Sequence, residues 1–254
     1  MTVLLDLLYK RIGYDSHHVI SFANLPEFLE RIAYQFPFEN SSVLKKERIP
    51  MTKKSLTEAL LNHQRGGLCY DLNAFLYYVL KDLGFSVHMI QGTVYNEKNQ
   101  LWSLTGTHVA IVLWEGNEAF LIDTGFGLNL PLAPVPLSGE VMTSKTGRYR
   151  VQKANTDKGD YLLEMDKGEG WQTGYAFSIE PINEVVLAEV RELIHNHPDS
   201  PFNQDPLACK WTRNGTIILK KDHFTKRTSH NLSKQNLKQG EFTIMFNKYF
   251  FEDD

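Results

Sequence analysis

The pattern of apolar residues changes sharply after Gly84, and this change constrains the fold more than any other feature of the chain. Before it, apolar side chains recur at helical spacing, most clearly over 69–83, and Gly84 stands where a C-terminal cap is expected. After it, the segments 86–94, 107–114 and 118–122 are rich in β-branched and aromatic residues, which indicates strands. The chain is therefore predicted to combine a helical part with a separate β part.

This pattern predicts an α+β fold with three parts. Residues 1–85 are expected to form a helical bundle, and residues 86–182 an antiparallel β domain. Residues 183–254 begin with helical spacing over 183–195 and continue as a mixed α/β segment.

Three local signals add detail. Ser55 followed by Glu58 matches a capping box and predicts a helix start. Asn214-Gly215 lies between two short strand patterns and predicts a hairpin with a type I′ turn. The apolar segment 242–251 fits either a strand or a helix.

Length, charge and cysteine content exclude several classes of protein. The 254 residues suffice for one large domain or a few smaller units with a shared core. A net charge of −3 argues against a dedicated nucleic-acid-binding protein. The longest uninterrupted apolar run, 109–114, is far too short to cross a bilayer. With only Cys69 and Cys209, the chain has no disulfide framework, which favours a reducing, cytoplasmic location.

Cys69 is the candidate nucleophile. It stands at the N-terminus of the clearest predicted helix, where the helix dipole favours a thiolate. Gly66 and Gly67, just upstream, allow a sharp turn and a close approach to a ligand. The alternative is that Cys69 is an ordinary small core residue, as most lone cysteines are.

A nucleophilic thiol needs a base, and the base needs an orienting group. His108 begins one predicted strand, and Asp123 follows the end of the next. If Glu115-Gly116 is the turn, the two residues face each other with β-carbons about 4.5–5.5 Å apart. If Gly116-Asn117 is the turn, they are diagonal neighbours on one face, about 7–8 Å apart. A three-residue loop would place them on opposite faces, so the spacing favours a His–Asp pair but leaves the turn open.

Several ordered blocks between about residues 36 and 220 resemble the arylamine N-acetyltransferase family, in its bacterial form. They are Phe36-Pro37-Phe38-Glu39-Asn40, Arg65-Gly66-Gly67-Leu68-Cys69, Thr107-His108-Val109, Leu121-Ile122-Asp123-Thr124-Gly125-Phe126-Gly127, and Ser200-Pro201-Phe202 with the later Asn214-Gly215. The combination is specific, although no single block is. One departure is that the family usually has glutamate where this chain has Asp71, which we expect to alter a local salt bridge, with Arg65 as its partner.

The resemblance implies a helical bundle, a barrel-like antiparallel β domain and a C-terminal α/β lid around a cysteine-protease-like Cys-His-Asp core. It implies that Cys69, His108 and Asp123 are the catalytic residues. It also implies that an acetyl group passes from acetyl-coenzyme A to an arylamine or arylhydrazine through an acetyl-cysteine, in a ping-pong reaction. A role in xenobiotic metabolism follows from such acceptors.

The same resemblance implies the contact residues. Phe38 and Phe126 are expected to wall the substrate pocket, and Thr107, Gly125 and Gly127 to contact coenzyme A. No metal is expected, because His195-Asn196-His197 has no companion ligands at metal-binding spacing. No nucleic-acid or membrane partner is expected either.

Two other classes of function remain open from the sequence. Cysteine hydrolases and transglutaminase-like enzymes use the same arrangement of cysteine, histidine and aspartate. A non-catalytic binding protein of the same fold is the second alternative, for which Asp71 leaves slight room.

Overall fold

The computed structural model describes residues 2–15 and 17–251. The α-helices in this part of the chain are α1 Val3–Ile12, α2 Leu25–Gln35, α3 Ser41–Leu44, α4 Lys53–Thr57, α5 Cys69–Asp82, α6 Glu184–Asn196 and α7 Glu241–Phe250. The strands are β1 Phe38–Glu39, β2 Ser86–Asn96, β3 Leu101–Trp102, β4 His108–Glu115, β5 Glu118–Ile122, β6 Val135–Pro136, β7 Met142–Ser144, β8 Gly147–Thr156, β9 Gly159–Asp166, β10 Trp171–Phe177, β11 Leu207–Thr212, β12 Gly215–Lys220, β13 His223–Thr228 and β14 Leu232–Asn236. The predicted α+β class is confirmed, and no described helix has the length and apolar character needed to span a membrane.

Helix α5 is buried on nearly all sides and forms the centre of the helical part. Leu72, Phe75, Leu76 and Val79 are all buried within the main apolar core. A helix that is apolar around most of its circumference is stable only when other elements surround it. Gly84 follows the helix with a φ of +88°, so the predicted C-terminal signal is confirmed.

The helix predicted to start at Ser55 begins earlier. The N-cap of α4 is Thr52, whose hydroxyl accepts a hydrogen bond from the Ser55 N–H at 3.3 Å. Glu58 does not complete a capping box, because it begins a π-helical turn and its carboxylate accepts from Asn62 at 2.6 Å. The expected box is therefore wrong, since a hydroxyl one turn upstream already caps the helix.

The central strands form an antiparallel, barrel-like sheet that carries a second apolar core. Its strand order is β6-β5-β4-β2-β10-β9-β8-β7, and β6 at one edge also contacts β8 near the other. One face of β4 and β5 packs on the helical core, while the other packs inside the sheet with Tyr149, Leu163 and Phe177. The strand β4 is therefore buried on both sides, which explains its continuous apolar sequence.

The turn between β4 and β5 selects one of the two predicted registers. Glu115 pairs with Glu118, so Gly116 and Asn117 form the turn. Gly116 has a φ of +59°, a conformation that glycine adopts readily. The diagonal arrangement predicted for His108 and Asp123 is therefore the one that forms.

A second sheet joins the C-terminal strands to the N-terminal part of the chain. Its order is β1-β11-β12-β13-β14, with Phe38 paired to Cys209. The predicted type I′ turn is wrong: Thr212 pairs with Gly215, so the turn residues are Arg213 and Asn214, and neither has a positive φ. The left-handed conformation falls on Gly215, at a φ of +145°.

The segment 242–251, which fits either a strand or a helix by its sequence, is helical. Helix α7 packs on one face of the second sheet, where Phe250 joins a small apolar core with Ile217 and Phe224. The division into residues 1–85, 86–182 and 183–254 stays a prediction, although β1 of the first part pairs with a strand of the third.

Side-chain hydrogen bonds of Asn40 link the first part of the chain to the third. Its buried side chain donates to the carbonyls of Phe202 and Asp205, both at 2.9 Å, and accepts from the Leu207 N–H at 2.8 Å. The sequence blocks around residues 36–40 and 200–202 therefore meet in space. Asn40 satisfies backbone groups that no strand or helix would satisfy.

We expect Asn40→Ala to lower the free energy of unfolding by about 2–4 kcal/mol, since each buried backbone group left without a partner costs about 1–3 kcal/mol. Urea denaturation followed by circular dichroism measures this loss. The control is Asn62→Ala, at an exposed position with a local hydrogen bond, for which the change should stay within about 0.5 kcal/mol. Equal losses of unfolding free energy in both variants would contradict the linking role of Asn40.

Candidate active site

Cys69 lies at the first turn of α5 and faces the start of β4. The residue is 5% exposed, and its Sγ donates to the Thr107 carbonyl at 3.4 Å. The free N–H groups of the first helical turn give this end of α5 a partial positive charge. The thiol therefore lies between a helix N-terminus and the strand that carries His108.

The glycines around Cys69 allow segments of the chain itself to pack closely. A Cβ at Gly66 would lie 2.2 Å from the Pro37 carbonyl oxygen. A Cβ at Gly125 would lie 2.6 Å from the Cα of Cys69. Both distances are too short for any side chain, so Gly66 and Gly125 position the loop and the nucleophile by contact between backbones.

His108 and Asp123 form a buried pair. The Nε2 atom of His108 lies 2.7 Å from Oδ2 of Asp123, and both residues are 3% exposed. Because Nε2 is bound to the carboxylate, Nδ1 is the ring nitrogen that remains for the Cys69 thiol. Three residues that are distant in the sequence, Cys69, His108 and Asp123, therefore meet in one place.

The Asp123 carboxylate is fully hydrogen-bonded within the described residues. Oδ1 accepts from Asn73 Nδ2 at 2.8 Å and from the Gly125 N–H at 2.7 Å. Oδ2 accepts from His108 and from the Tyr175 hydroxyl at 2.9 Å. Burial alone would raise the pKa of Asp123, but the charge and hydrogen bond of His108, then Asn73 and Gly125, lower it below 3.8.

Asn73 and Tyr175 are site residues that the sequence reasoning missed. Asn73 also donates to the Val109 carbonyl at 2.7 Å and accepts from the Thr124 N–H at 2.9 Å, so it joins α5 to β4 and to the segment after β5. One signal was available for Asn73: a polar residue one helical turn after Cys69, on the same apolar face. No comparable signal exists for Tyr175, because its partner lies on a distant strand.

The surroundings of His108 favour its charged form. Burial disfavours an imidazolium, but the carboxylate of Asp123 and then the Cys69 side chain raise the pKa of His108 to about 10. The ring also packs against Tyr175 and Phe126, with centroids 4.4 and 5.3 Å away. His108 is therefore held as an imidazolium at neutral pH, in a fixed orientation.

The pair stabilises the folded state over a defined pH range. Because the pKa of His108 is raised from 6.5 to about 10, its contribution is fully present below pH 6.5 and is lost as the pH rises toward 10. The pKa of Asp123 is lowered instead, so its contribution is present above pH 3.8 and is lost as the pH falls further. Both contributions coexist at mildly acidic pH.

Aromatic rings line the surroundings of the triad. Phe126 packs edge-on against Tyr175. Phe38 lies next to Gly67 in the backbone. The Phe38 ring packs edge-on against Phe202, with centroids 5.7 Å apart. Phe38, Phe126 and Phe202 are only partly buried. Phe38 and Phe126 were predicted as pocket walls, whereas Phe202 was not. Its carbonyl accepts from the Asn40 side chain, which brings this segment next to Phe38.

The residues expected to contact coenzyme A have other contacts in the structure. The Thr107 hydroxyl donates to the Leu104 carbonyl at 2.8 Å, while its own carbonyl accepts from Cys69. Gly125 packs on Cys69, and Gly127 has a φ of +59° and lies beside Cys209. Their role toward coenzyme A stays a prediction.

Asp71 does not form the salt bridge expected with Arg65. Its carboxylate accepts from the Leu68 N–H at 3.0 Å and so caps α5, whereas Arg65 pairs with Glu47. Burial raises the pKa of Asp71 to about 7. The short side chain of aspartate suits a capping contact with its own helix better than a bridge to the preceding loop.

Residues 21–251 match a family model described as N-acetyltransferase. The chain belongs to the arylamine N-acetyltransferase family. It is 46% identical to the uncharacterized acetyltransferase YvcN of Bacillus subtilis, over 98% of both chains. It matches the crystal structure of an arylamine N-acetyltransferase from Bacillus cereus with a TM-score of 0.95 and 40% identity, over 98% of both chains.

Other members of the family share the architecture at greater distance. An arylamine N-acetyltransferase of Mycobacterium marinum in complex with CoA matches with a TM-score of 0.85 and 23% identity, over 97% of this chain and 92% of that one. The Bacillus cereus enzyme is described as having a unique Cys-His-Glu catalytic triad. In the present acetyltransferase the carboxylate bound to the histidine is the aspartate Asp123.

We expect the His108 ring to remain an imidazolium through neutral pH, because its pKa lies near 10. Asp123→Asn removes the opposing charge but leaves the burial, so His108 should become neutral by pH 7. Nitrogen-15 NMR of labelled histidine rings measures the change. Asp199→Asn, at an exposed position, is the control and should not move the signal. A wild-type ring that titrates near pH 6.5 would refute this electrostatic account.

Proposed function

We propose that this acetyltransferase moves an acetyl group from acetyl-coenzyme A to the nitrogen of an arylamine or arylhydrazine, through an acetyl-Cys69 intermediate. The observation that supports it best is the buried 2.7 Å pair of His108 and Asp123, with Cys69 as the third member. The family to which the chain belongs supports the donor and the class of acceptor.

In the first half of the reaction, the Cys69 thiolate attacks the thioester carbonyl and forms a tetrahedral intermediate. The carbon–sulfur bond of the donor then breaks, and the thiol of coenzyme A leaves with the proton of His108. Backbone N–H groups of the first turn of α5 are the candidate donors to the oxyanion, a contact worth about 2.7–4 kcal/mol per donor in other enzymes. The products are acetyl-Cys69, free coenzyme A and a neutral His108.

In the second half, the amine nitrogen attacks acetyl-Cys69 and gives its proton to His108. The Cys69 sulfur leaves as a thiolate, which restores the starting ion pair. Asp123 keeps Nδ1 of His108 directed at the reacting atoms and stabilises the ring when it is charged. Since the first half exchanges one thioester for another, that step is nearly balanced.

An aromatic amine is neutral and flat, which suits a site walled by Phe38, Phe126 and Phe202. Such walls also exclude water, which would otherwise hydrolyse the thioester. Because the reaction requires Cys69 as a free thiol, a reducing, cytoplasmic location is part of the proposal, as is a role in the metabolism of foreign aromatic amines.

Acetyl-coenzyme A added without acceptor should leave a stable acetyl group on Cys69, and an arylamine should remove it. Peptide mass spectrometry measures both steps. Cys69→Ala should abolish turnover, whereas Cys209→Ala should retain most of it. Cys209 is the matched control, because it is also buried and its pKa is raised to about 12.

Each other outcome selects a different function. Rapid loss of the acetyl group without acceptor indicates a cysteine hydrolase, and no acetylation indicates a binding protein of the same fold. Full activity in Cys69→Ala would remove the proposed nucleophile.

Phe202→Ala should raise the KM for an arylamine by about 3–10-fold, because an aromatic contact of this kind is worth about 0.5–1.5 kcal/mol. Acetylation of Cys69 by p-nitrophenyl acetate should change little. Phe242→Ala on α7, a partly buried phenylalanine in the separate C-terminal core, is the control. An unchanged KM in Phe202→Ala would exclude this ring from the acceptor pocket.

A further inference from the structure

A lysine and an indole converge on the loop that leaves the active site. Lys167, just after β9, donates from Nζ to the Leu128 carbonyl at 3.2 Å and to Asn129 Oδ1 at 2.6 Å. Trp211 on β11 donates from Nε1 to the same Leu128 carbonyl at 3.3 Å. Lys167 and Trp211 therefore lie side by side, although one follows the barrel-like sheet and the other belongs to the second sheet.

Arg227 lies on the same sheet face as Trp211. Trp211 pairs with Thr216, and Thr216 pairs with Arg227, so these side chains project to one side. That side faces the loop, because Trp211 binds Leu128 there. The face opposite is covered by α7. Arg227 is therefore on the side of the sheet that faces the active-site loop.

The two cations are close to each other and are not neutralised. Loss of water around the Lys167 ammonium, and then the charge of Arg227, lower the pKa of Lys167 to about 8. Among the described residues, no carboxylate lies within ion-pair distance of Lys167 or Arg227. The neighbouring Asp166 is engaged elsewhere, since it accepts from the Gly168 and Gly170 N–H groups. Both residues are exposed as a whole, although Leu128 and Asn129 shield part of the Lys167 ammonium from water.

The distance to the nucleophile suits a donor with a long arm. Gly125 packs on the backbone of Cys69, and Leu128 follows three residues later. Three residues span at most roughly 11 Å, so the cations lie beyond the reacting atoms but near them. In coenzyme A, a long flexible pantetheine arm separates the sulfur from the diphosphate and the 3′-phosphate.

We propose that Lys167 and Arg227 bind phosphate groups of the coenzyme A donor while its thioester lies at Cys69. The inference rests on the proposed function and assigns a binding role to two cationic residues beside the loop that carries Leu128. Guanidinium and ammonium groups are the usual partners of phosphate oxygens. The Leu128 carbonyl, to which Trp211 also donates, holds Lys167 in position for this contact.

The test compares two acetyl donors in the full-length protein. Lys167→Gln and Arg227→Gln should each raise the KM for acetyl-coenzyme A by about 3–20-fold, since the contacts are charge-assisted but exposed. The kcat should stay close to that of the wild type. Acetylation by p-nitrophenyl acetate, which has no phosphate, should change by less than a factor of about two. Titration calorimetry with free coenzyme A should show the same loss of affinity.

The matched control is Lys226→Gln. Lys226 precedes Arg227 on β13, is equally exposed and lies on the opposite face of the sheet. This substitution changes the net charge by the same amount but lies on the face of the sheet away from the Leu128 loop. The KM for acetyl-coenzyme A should therefore not change.

The remaining outcomes separate this inference from the proposed function. If Lys226→Gln and Arg227→Gln raise the KM for acetyl-coenzyme A equally, the effect comes from the net charge alone and the assignment is overturned. Equal effects on both donors would do the same, because the substitutions would then disturb the triad. A wild-type protein that neither donor acetylates would instead refute the proposed function. Acetyl-dephospho-coenzyme A identifies the phosphate: a smaller penalty with that donor assigns the 3′-phosphate.

Discussion

The burial of one carboxylate, that of Asp123, holds the functional part of this molecule together. An isolated buried carboxylate costs several kcal/mol, and this cost is offset only when hydrogen bonds and an opposite charge surround it. Its partners belong to different elements: Asn73 to α5, His108 to β4, Gly125 to the following loop and Tyr175 to β10. The charge can therefore be buried only when the helical part and the barrel-like sheet are already together. Folding and assembly of the site are the same event.

This coupling also explains how the Cys69 thiol is held in place. Cys69 begins a helix that is buried on nearly all sides, and Gly125 packs directly on its backbone. Lys167 and Trp211 contact the same loop at Leu128, so the loop connects Cys69 to the proposed phosphate-binding residues. Within one family, a related structure is described with glutamate in the triad, whereas this chain uses aspartate. The hydrogen bonds of Asp123 to the adjacent Gly125 N–H and to Asn73 hold this shorter side chain against His108.

Much of this arrangement could be predicted from local patterns. The helix that starts at Cys69 follows from its apolar spacing, and the pairing of His108 with Asp123 follows from strand length and turn geometry. The capping box predicted at Ser55 was wrong, because the Thr52 hydroxyl caps the helix one turn earlier. The type I′ turn predicted at Asn214-Gly215 was wrong, because the strands pair so that Arg213 and Asn214 form the turn. Such alternatives differ by about 1 kcal/mol, which tertiary contacts easily exceed.

The sequence by itself determined the class of fold and the family, and it predicted Cys69, His108 and Asp123 as the catalytic residues, since these are encoded in periodicity and in short ordered blocks. Only the tertiary structure decided which groups surround the triad: Asn73, Tyr175 and Phe202 lie far from their partners in the chain. Their positions depend on pairings between distant strands and helices, for which the local sequence gives no signal beyond the helical spacing of Asn73 from Cys69. The physical reason is that a hydrogen bond or an aromatic contact depends on distances of a few ångströms, which the packing of whole elements sets.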